Sequence, residues 1–242
     1  MDLDGTLYEG GEPVPGALEA VGRLKGAGLG ARYVTNTTRR PRRAVAEGMR
    51  ALGFRVEEDE VFTPARAAVA TIGSGSCFPL VAEALVEDLA GITFEDQRPD
   101  HVLVGDLGEG FTYARLDAAF RCLVEGAGLI ALQKNRYWQT DTGLSLDAGP
   151  FVAALEYASG KVATVVGKPR TEFFGAALED LGLGAGEVAM VGDDPVSDVA
   201  GAKRAGLVAV QVRTGKWRPG DDVEEADLVL GSIADLPAAL GL

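Results

Sequence analysis

Short apolar segments alternate along this chain with longer segments that have helical periodicity. Val102-Leu103-Val104 and the run at 207–212 are nearly continuous in apolar residues, a pattern typical of β-strands buried on both faces. Helices between such strands indicate a mostly parallel sheet covered by helices, so we predict an α/β protein. The predicted strands are 32–34, 102–104, 129–132, 162–166, 188–191, 207–212 and 228–230, and the predicted helices are 15–25, 41–52, 112–124, 171–181 and 198–205.

Composition restricts the partners and the setting of the protein. The 242 residues include 23 Lys and Arg against 36 Asp and Glu, and the net charge of −13 argues against nucleic acid and anionic membranes, which bind cationic patches. The single His excludes a two-His zinc site. Cys77 and Cys122 form no CxxC motif, and we find neither a signal peptide nor a run of about 18 apolar residues. We expect a cytoplasmic protein with free thiols.

Two acidic clusters lie at the ends of strand-like segments. Asp2-Leu3-Asp4-Gly5-Thr6 places carboxylates at positions i and i+2, where one can attack an electrophile and the other can transfer protons. A surface turn is the alternative for such a pair. Residues 192–198 contain three acids after a predicted strand, and Mg²⁺ relieves the repulsion among crowded carboxylates. The alternative there is a turn with Asp198 as a helix cap, and Asp198 can serve both roles.

Two other predicted strand ends carry groups that suit phosphate. Thr35 and Asn36 offer a hydroxyl, an amide and backbone N–H groups, although a helix cap is the alternative. Lys168 follows the predicted strand at 162–166, and its ammonium can neutralise phosphoryl charge. Ligands bind at the carboxyl ends of strands in open parallel sheets. The four motifs together therefore predict one site that handles a phosphoryl group.

In this order the motifs resemble those of the haloacid dehalogenase (HAD) superfamily of Asp-based phosphohydrolases. They stand here as Asp2-x-Asp4-Gly5-Thr6, Thr35-Asn36, Lys168 and Gly192-Asp193-x4-Asp198. Asn36 and Lys168 are 132 residues apart, which is too far for one crossover, and the insertion has strands and helices of its own. This position and size are similar to subfamily IIA, which carries a C2-type cap between the second and third motifs.

The resemblance implies a Rossmann-like three-layer parallel-sheet core with an inserted α/β C2-type cap. We expect the catalytic core at 1–70 and 161–242 and the substrate-selecting cap at 71–160. The resemblance also implies a homodimer. Several segments, including Val212-Arg213-Thr214-Gly215-Lys216, are similar to one branch of the subfamily, and this similarity adds pyrophosphate and P–N bonds to the candidate substrates.

Carried over residue by residue, the resemblance implies a Mg²⁺-dependent phosphatase that forms an aspartyl-phosphate on a small phosphorylated substrate. Asp2 would be the nucleophile, Asp4 the general acid and base, and Lys168 the cation that neutralises both nucleophile and phosphate. Asp194 receives no assigned role. The implied metal ligands are Asp2, Asp4 through its backbone carbonyl, and Asp193, while Asp198 would serve the metal indirectly by orienting a ligand water or Lys168. The implied phosphate-binding residues are Thr35, Asn36 and Lys168.

Substrate contacts in the cap are expected in the segment 134–138, which mixes cations with aromatic residues. Asn135 and Arg136 are the candidates for leaving-group contacts. The alternative is that Tyr137 and Trp138 pack in the core of the cap.

Two other expectations qualify the resemblance. Only Met1 precedes Asp2, whereas family members have several apolar residues there, so we expect either a very short central strand or further residues upstream.

Three alternatives to a phosphatase arise: a non-catalytic phosphate-binding or regulatory module, a phosphomutase, and a phosphoacceptor receiver domain. A receiver needs only about half this length and has no cap, so the insertion argues against it.

Overall fold

The predicted alternation of strands and helices is present in the residues that the computed structural model describes, 1–140 and 143–242. The strands are β1 (Tyr8–Glu9), β2 (Glu12–Pro13), β3 (Tyr33–Val34), β4 (Val61–Phe62), β5 (Ser76–Leu80), β6 (Thr93–Phe94), β7 (His101–Val104), β8 (Gly128–Ala131), β9 (Tyr137–Thr140), β10 (Gly143–Leu146), β11 (Thr164–Val165), β12 (Ala189–Gly192), β13 (Val208–Val212) and β14 (Leu228–Leu230). The helices are α1 (Ala17–Gly26), α2 (Arg42–Ala51), α3 (Pro64–Ile72), α4 (Tyr113–Val124), α5 (Ala148–Ser159), α6 (Thr171–Leu181), α7 (Gly201–Arg204) and α8 (Leu236–Ala239).

The chain divides into two compact units. The first comprises Met1–Thr35, Arg42–Phe62 and Lys168–Leu242, and the second comprises Asn36–Pro41 and Thr63–Gly167. The sequence-based boundaries lie after residues 70 and 160. In the structure α3 packs against the 3₁₀ helix Glu83–Leu89, and β11 pairs with β8. Residues 63–70 and 161–167 therefore belong to the second unit. The catalytic and selectivity roles of the two units stay predictions.

In the first unit, Met1 and Asp2 lie between two strands. Asp2 pairs in parallel with Val34 of β3, and its N–H donates to the Val191 carbonyl of β12 over 2.8 Å. On one side β3 pairs with β4, and on the other β12, β13 and β14 run parallel in that order. Asp2 therefore begins the first motif near the centre of the sheet, above a core that includes Leu3, Leu7, Tyr33 and Val210.

In the second unit, five parallel strands pair in the order β11-β8-β7-β5-β6. Helices α4 and α5 pack together, and the core beneath them includes Val102, Val104 and Leu129. Strand β5 is absent from the sequence prediction, and it contains Pro79. Strand β6 pairs only with Ser76 and Cys77 of β5, so Pro79 has a strand partner on one side only and its missing N–H is tolerated. None of the helices in the described ranges has the length and apolar character that a bilayer crossing requires.

An aromatic cluster in the first unit provides a test of this core. Phe173 is 0% exposed and makes edge-to-face contacts with Phe62 and Phe174 at centroid distances of 5.2 and 5.7 Å. We expect Phe173→Ala to lower the free energy of unfolding by about 3–5 kcal/mol, because a buried ring leaves a cavity. Urea denaturation followed by circular dichroism measures this change. Tyr157→Ala is the control, since Tyr157 is 94% exposed, and an equal loss in both variants would contradict this packing.

Candidate active site

A buried lysine joins two of the predicted motifs to each other. Lys168 is 6% exposed, and its Nζ donates to Asp2 Oδ1 over 2.5 Å and to Asp198 Oδ1 over 2.6 Å. Burial lowers the pKa of Lys168, but the charges of Asp198 and Asp2 outweigh this effect and raise it overall. The ammonium is therefore charged at neutral pH and lies between two carboxylates.

Three buried carboxylates form a group that can hold a cation. Oxygen atoms of Asp2, Asp193 and Asp198 lie within 4.8 Å of one another. Lys168 supplies one positive charge, so the ionised group keeps an excess of negative charge. Burial, reinforced by the charge of Asp2, raises the pKa of Asp193 to about 6 and that of Asp198 to about 7. Closely spaced hard oxygen donors with unbalanced negative charge fit Mg²⁺.

The adjacent acid, Asp194, has a different environment. Its Oδ1 accepts the N–H groups of Val196 and Ser197 at 3.0 and 2.9 Å, which caps the π-helical turn Pro195–Ala200. The predicted helix start at 198, with Asp198 as its cap, is therefore wrong. Proline suits the first position of a helix, so the helical segment begins earlier. The carboxylate of Asp198 instead accepts from Lys168 and from the N–H of Asp194, the latter over 3.2 Å.

Sequence reasoning missed a second set of contacts around Asp193. Thr6 Oγ1 donates to Asp193 Oδ1 over 3.3 Å, and the N–H of Lys216 donates to Asp193 Oδ2 over 2.7 Å. Thr214 Oγ1 donates to the Gly5 carbonyl over 2.5 Å. The sequence signal for Thr214 to Lys216 is their position: they come shortly after β13, and the neighbouring strand, β12, ends at the acidic cluster.

The structure places the other predicted residues as follows. Asp4 is exposed, and its carboxylate does not belong to the buried group. Thr35 is half-buried in the first unit, and its N–H donates to the Phe62 carbonyl over 3.2 Å. Asn36 is half-buried and belongs to the second unit.

The candidate substrate contacts of the cap are on the surface of the second unit. Asn135 and Arg136 are exposed, and the Asn135 carbonyl accepts the N–H of Gly149 over 2.9 Å. Tyr137 is 57% exposed, so the alternative that it packs in the core of the cap is wrong. The Trp138 side chain lies outside the described residues.

Known proteins match the whole length of the chain. The family model described as haloacid dehalogenase-like hydrolase matches residues 1–95, and a second, HAD-hydrolase-like model matches residues 165–236. Phospholysine phosphohistidine inorganic pyrophosphate phosphatase from Bos taurus is 41% identical over 100% of this chain and 92% of the relative. Haloacid dehalogenase-like hydrolase domain-containing protein 2 from Homo sapiens is 44% identical over 92% of this chain and 86% of the relative.

Solved structures also match. The p-nitrophenyl phosphatase from Archaeoglobus fulgidus superposes with a TM-score of 0.89 at 29% identity, over 98% of this chain and 97% of that protein. The match covers both compact units, so the inserted second unit is shared as well as the first.

The raised pKa values predict how the site responds to pH and to Mg²⁺. The pKa values of about 6 for Asp193 and about 7 for Asp198 lie above the ordinary 3.8. Without metal, the contribution of each carboxyl group to the free energy of unfolding is therefore fully present below about pH 4. It is lost as the pH rises through the folded-state pKa of that group. Because Mg²⁺ binds the ionised carboxylates, we expect saturating Mg²⁺ to raise Tm more at about pH 8 than at about pH 5.5.

Differential scanning fluorimetry with Mg²⁺ and with chelator checks this expectation. Asp193→Asn should remove most of the gain, whereas Asp59→Asn, at an exposed acid outside the group, should keep it. Equal gains at both pH values would contradict the assignment of these carboxylates to the metal.

Proposed function

The chain belongs to the haloacid dehalogenase-like hydrolases, subfamily IIA, and is a phosphatase of that family; we propose that it hydrolyses a small phosphorylated metabolite with Mg²⁺, through an aspartyl-phosphate on Asp2. The observation that carries this proposal is the buried Lys168, which contacts Asp2 and Asp198 within the group of three carboxylates. A structural ion pair would need only one acid. Lys168 contacts two acids, and a third buried carboxylate, that of Asp193, lies beside them, which supports a site built for a cation and a phosphoryl group.

Asp2 is the proposed nucleophile. Its Oδ1 accepts the hydrogen bond from Lys168, which holds the side chain in one orientation, and we assign the attack to its other oxygen. A bond forms between that oxygen and phosphorus while the bond from phosphorus to the leaving oxygen breaks. The charge on Lys168 offsets the repulsion between the carboxylate and the phosphoryl oxygens.

Asp4 is the proposed acid and base. It lies two residues after the nucleophile and is exposed, so it can reach a leaving group that points away from the buried acids. In the first half-reaction it gives a proton to the leaving oxygen. In the second half-reaction it takes a proton from a water molecule, whose oxygen bonds to phosphorus as the bond to Asp2 breaks.

Thr35 and Asn36 are the proposed ligands of the phosphoryl oxygens. The N–H of Thr35 is engaged by the Phe62 carbonyl, so its contribution comes from the hydroxyl. Asp2, Asp193 and the Asp4 carbonyl would hold Mg²⁺ directly, and Asp198 would support them by orienting a ligand water or Lys168. The bound ion would supply positive charge beside the transferred phosphate.

The second unit is the proposed source of selectivity. Asn135 and Arg136 are exposed polar residues in it, and a guanidinium suits an anionic or hydroxyl-rich leaving group. Sugar phosphates, phosphoglycolate-like acids, nucleotides, pyrophosphate and phosphoramidates are the candidate substrates. A homodimer also stays a prediction.

The role of Asp2 is tested by one substitution. Asp2→Asn removes the attacking carboxylate, and we expect it to lower turnover of an aryl phosphate by about 10⁴-fold or more while the circular dichroism spectrum is unchanged. Asp59→Asn is the matched control and should keep wild-type turnover. Substantial turnover by Asp2→Asn would contradict the assignment of the nucleophile.

The reaction class is tested by measuring phosphate release from the five candidate substrate classes. We expect release from at least one class with Mg²⁺ and none with chelator, because the phosphoryl charge is then not offset. No release from any class would favour a non-catalytic phosphate-binding module. Transfer to a second sugar without free phosphate would favour a phosphomutase.

A further inference from the structure

Thr214, Gly215 and Lys216 follow β13 and contact both acidic motifs of the first unit. We propose that this segment, Thr214–Lys216, is a positioning element that orients Asp193 and the first motif for Mg²⁺. The inference rests on the proposed function, because it assigns the residues that hold the proposed metal ligands in place. Neither the four family motifs nor the charge pattern of the sequence assigns these residues a role.

The orientation of the Asp193 carboxylate is set by two donors from opposite ends of the chain. Lys216 donates through its backbone N–H to Oδ2 over 2.7 Å, and Thr6 donates through its hydroxyl to Oδ1 over 3.3 Å. Asp193 is 0% exposed, so no bulk water can replace a lost donor. Loss of either hydrogen bond therefore leaves the carboxylate free to rotate away from a bound cation.

Two glycines allow this close approach. Gly215 has φ of +60° and Gly5 has φ of +89°, both in the left-handed region that favours glycine. A Cβ atom at Gly215 would overlap Asp193 Oδ2 and Gly5 Cα, and a Cβ atom at Gly5 would overlap Asp193 Oδ2. The two backbones therefore pack directly against the carboxylate, and a side chain at either position would push it aside.

Thr214 fixes the first motif to the same segment. Its hydroxyl donates to the Gly5 carbonyl over 2.5 Å, and the Gly5 N–H donates to the Tyr8 carbonyl over 2.8 Å. The Gly5 N–H and the Asp4 carbonyl belong to one planar peptide group, so the bond to Tyr8 sets the direction of the Asp4 carbonyl. The Thr214 bond holds the next peptide group, Gly5–Thr6, and so fixes the turn that follows Asp4. The Asp4 carbonyl is the proposed backbone ligand of the metal.

The side chain of Lys216 has a smaller role than its backbone. Its Nζ donates to Asp194 Oδ2 over 3.1 Å, and Asp194 caps the turn that carries Asp198. The Lys216 side chain is 69% exposed, however, and ion pairs in such positions contribute little. The hydroxyl of Thr214 and the backbone at 215–216 should therefore dominate the effect on the metal.

Mg²⁺ affinity of the full-length protein, measured by isothermal titration calorimetry, tests the inference without any turnover. Thr214→Val removes the hydroxyl at nearly constant volume, and we expect it to raise the Mg²⁺ Kd by about tenfold. Thr214→Ser keeps the hydroxyl and should remain within about threefold of wild type, which a merely space-filling role of Thr214 would not produce. Thr171→Val, at an exposed threonine of the same unit, is the matched control.

A second pair of variants separates charge from backbone. Lys216→Met keeps the N–H that binds Asp193, so we expect at most about a threefold rise in the Mg²⁺ Kd. The control is Lys203→Met, which removes another ion pair of the surface, the one between Lys203 and Asp227. A loss in Lys216→Met as large as that in Thr214→Val would overturn the ranking of backbone over charge. An unchanged Kd in Thr214→Val would overturn the positioning role.

Aryl phosphate kinetics distinguish failure of this inference from failure of the proposed function. Thr214→Val should raise the Mg²⁺ concentration needed for half-maximal rate by about tenfold while kcat at saturating Mg²⁺ falls by less than about threefold. A wild-type protein that binds Mg²⁺ but releases no phosphate would overturn the proposed function. The Mg²⁺ Kd values of the variants would then still test the positioning role of Thr214–Lys216. A wild-type protein that binds no Mg²⁺ would overturn both.

Discussion

One ammonium group held between two carboxylates organises the first unit. Lys168 lies 166 residues from Asp2 and 30 residues from Asp198, yet its Nζ contacts both at hydrogen-bonding distance. A buried charge without partners is strongly unfavourable, so the three side chains can be buried only together. In the first unit's sheet Met1 and Asp2 lie between β3 and β12, and Asp193 follows β12, whereas Lys168 enters from a chain segment that follows β11 of the second unit. The site therefore depends on strand order as much as on residue type.

Surroundings, rather than residue type, divide the acids of the site between two tasks. Asp193 and Asp194 are adjacent in sequence, but their pKa values shift in opposite directions. Burial raises the pKa of Asp193. Burial also acts on Asp194, but hydrogen bonding from the Ser197 N–H and the charge of Lys216 outweigh it, so that pKa falls. Asp193 thus belongs to the group of three carboxylates whose negative charge exceeds the one positive charge of Lys168. Asp194 instead caps a helical turn through its hydrogen bonds.

Much of the fold could be predicted because local patterns report it. The apolar runs at 102–104 and 207–212 form strands, and the motif pattern led to Asp2, Lys168, Asp193 and Asp198, which the structure brings together. The patterns failed where local and tertiary preferences disagree. The sequence prediction omitted β5, a strand that contains Pro79 and tolerates it because β6 pairs along only part of β5. Pro195 begins the helical segment ahead of the predicted start at 198.

By itself, the sequence determined which side chains can meet. Alternating strands and helices require a parallel sheet, and a parallel sheet collects residues that follow its strands at one edge. Only the tertiary structure decided how those side chains are oriented and charged. The hydroxyl of Thr214 reaches the Gly5 carbonyl across a separation of 209 residues, and Gly215 packs against Asp193. Contacts of this kind, and the burial that raises the pKa of a carboxylate, arise from long-range packing that no local pattern records.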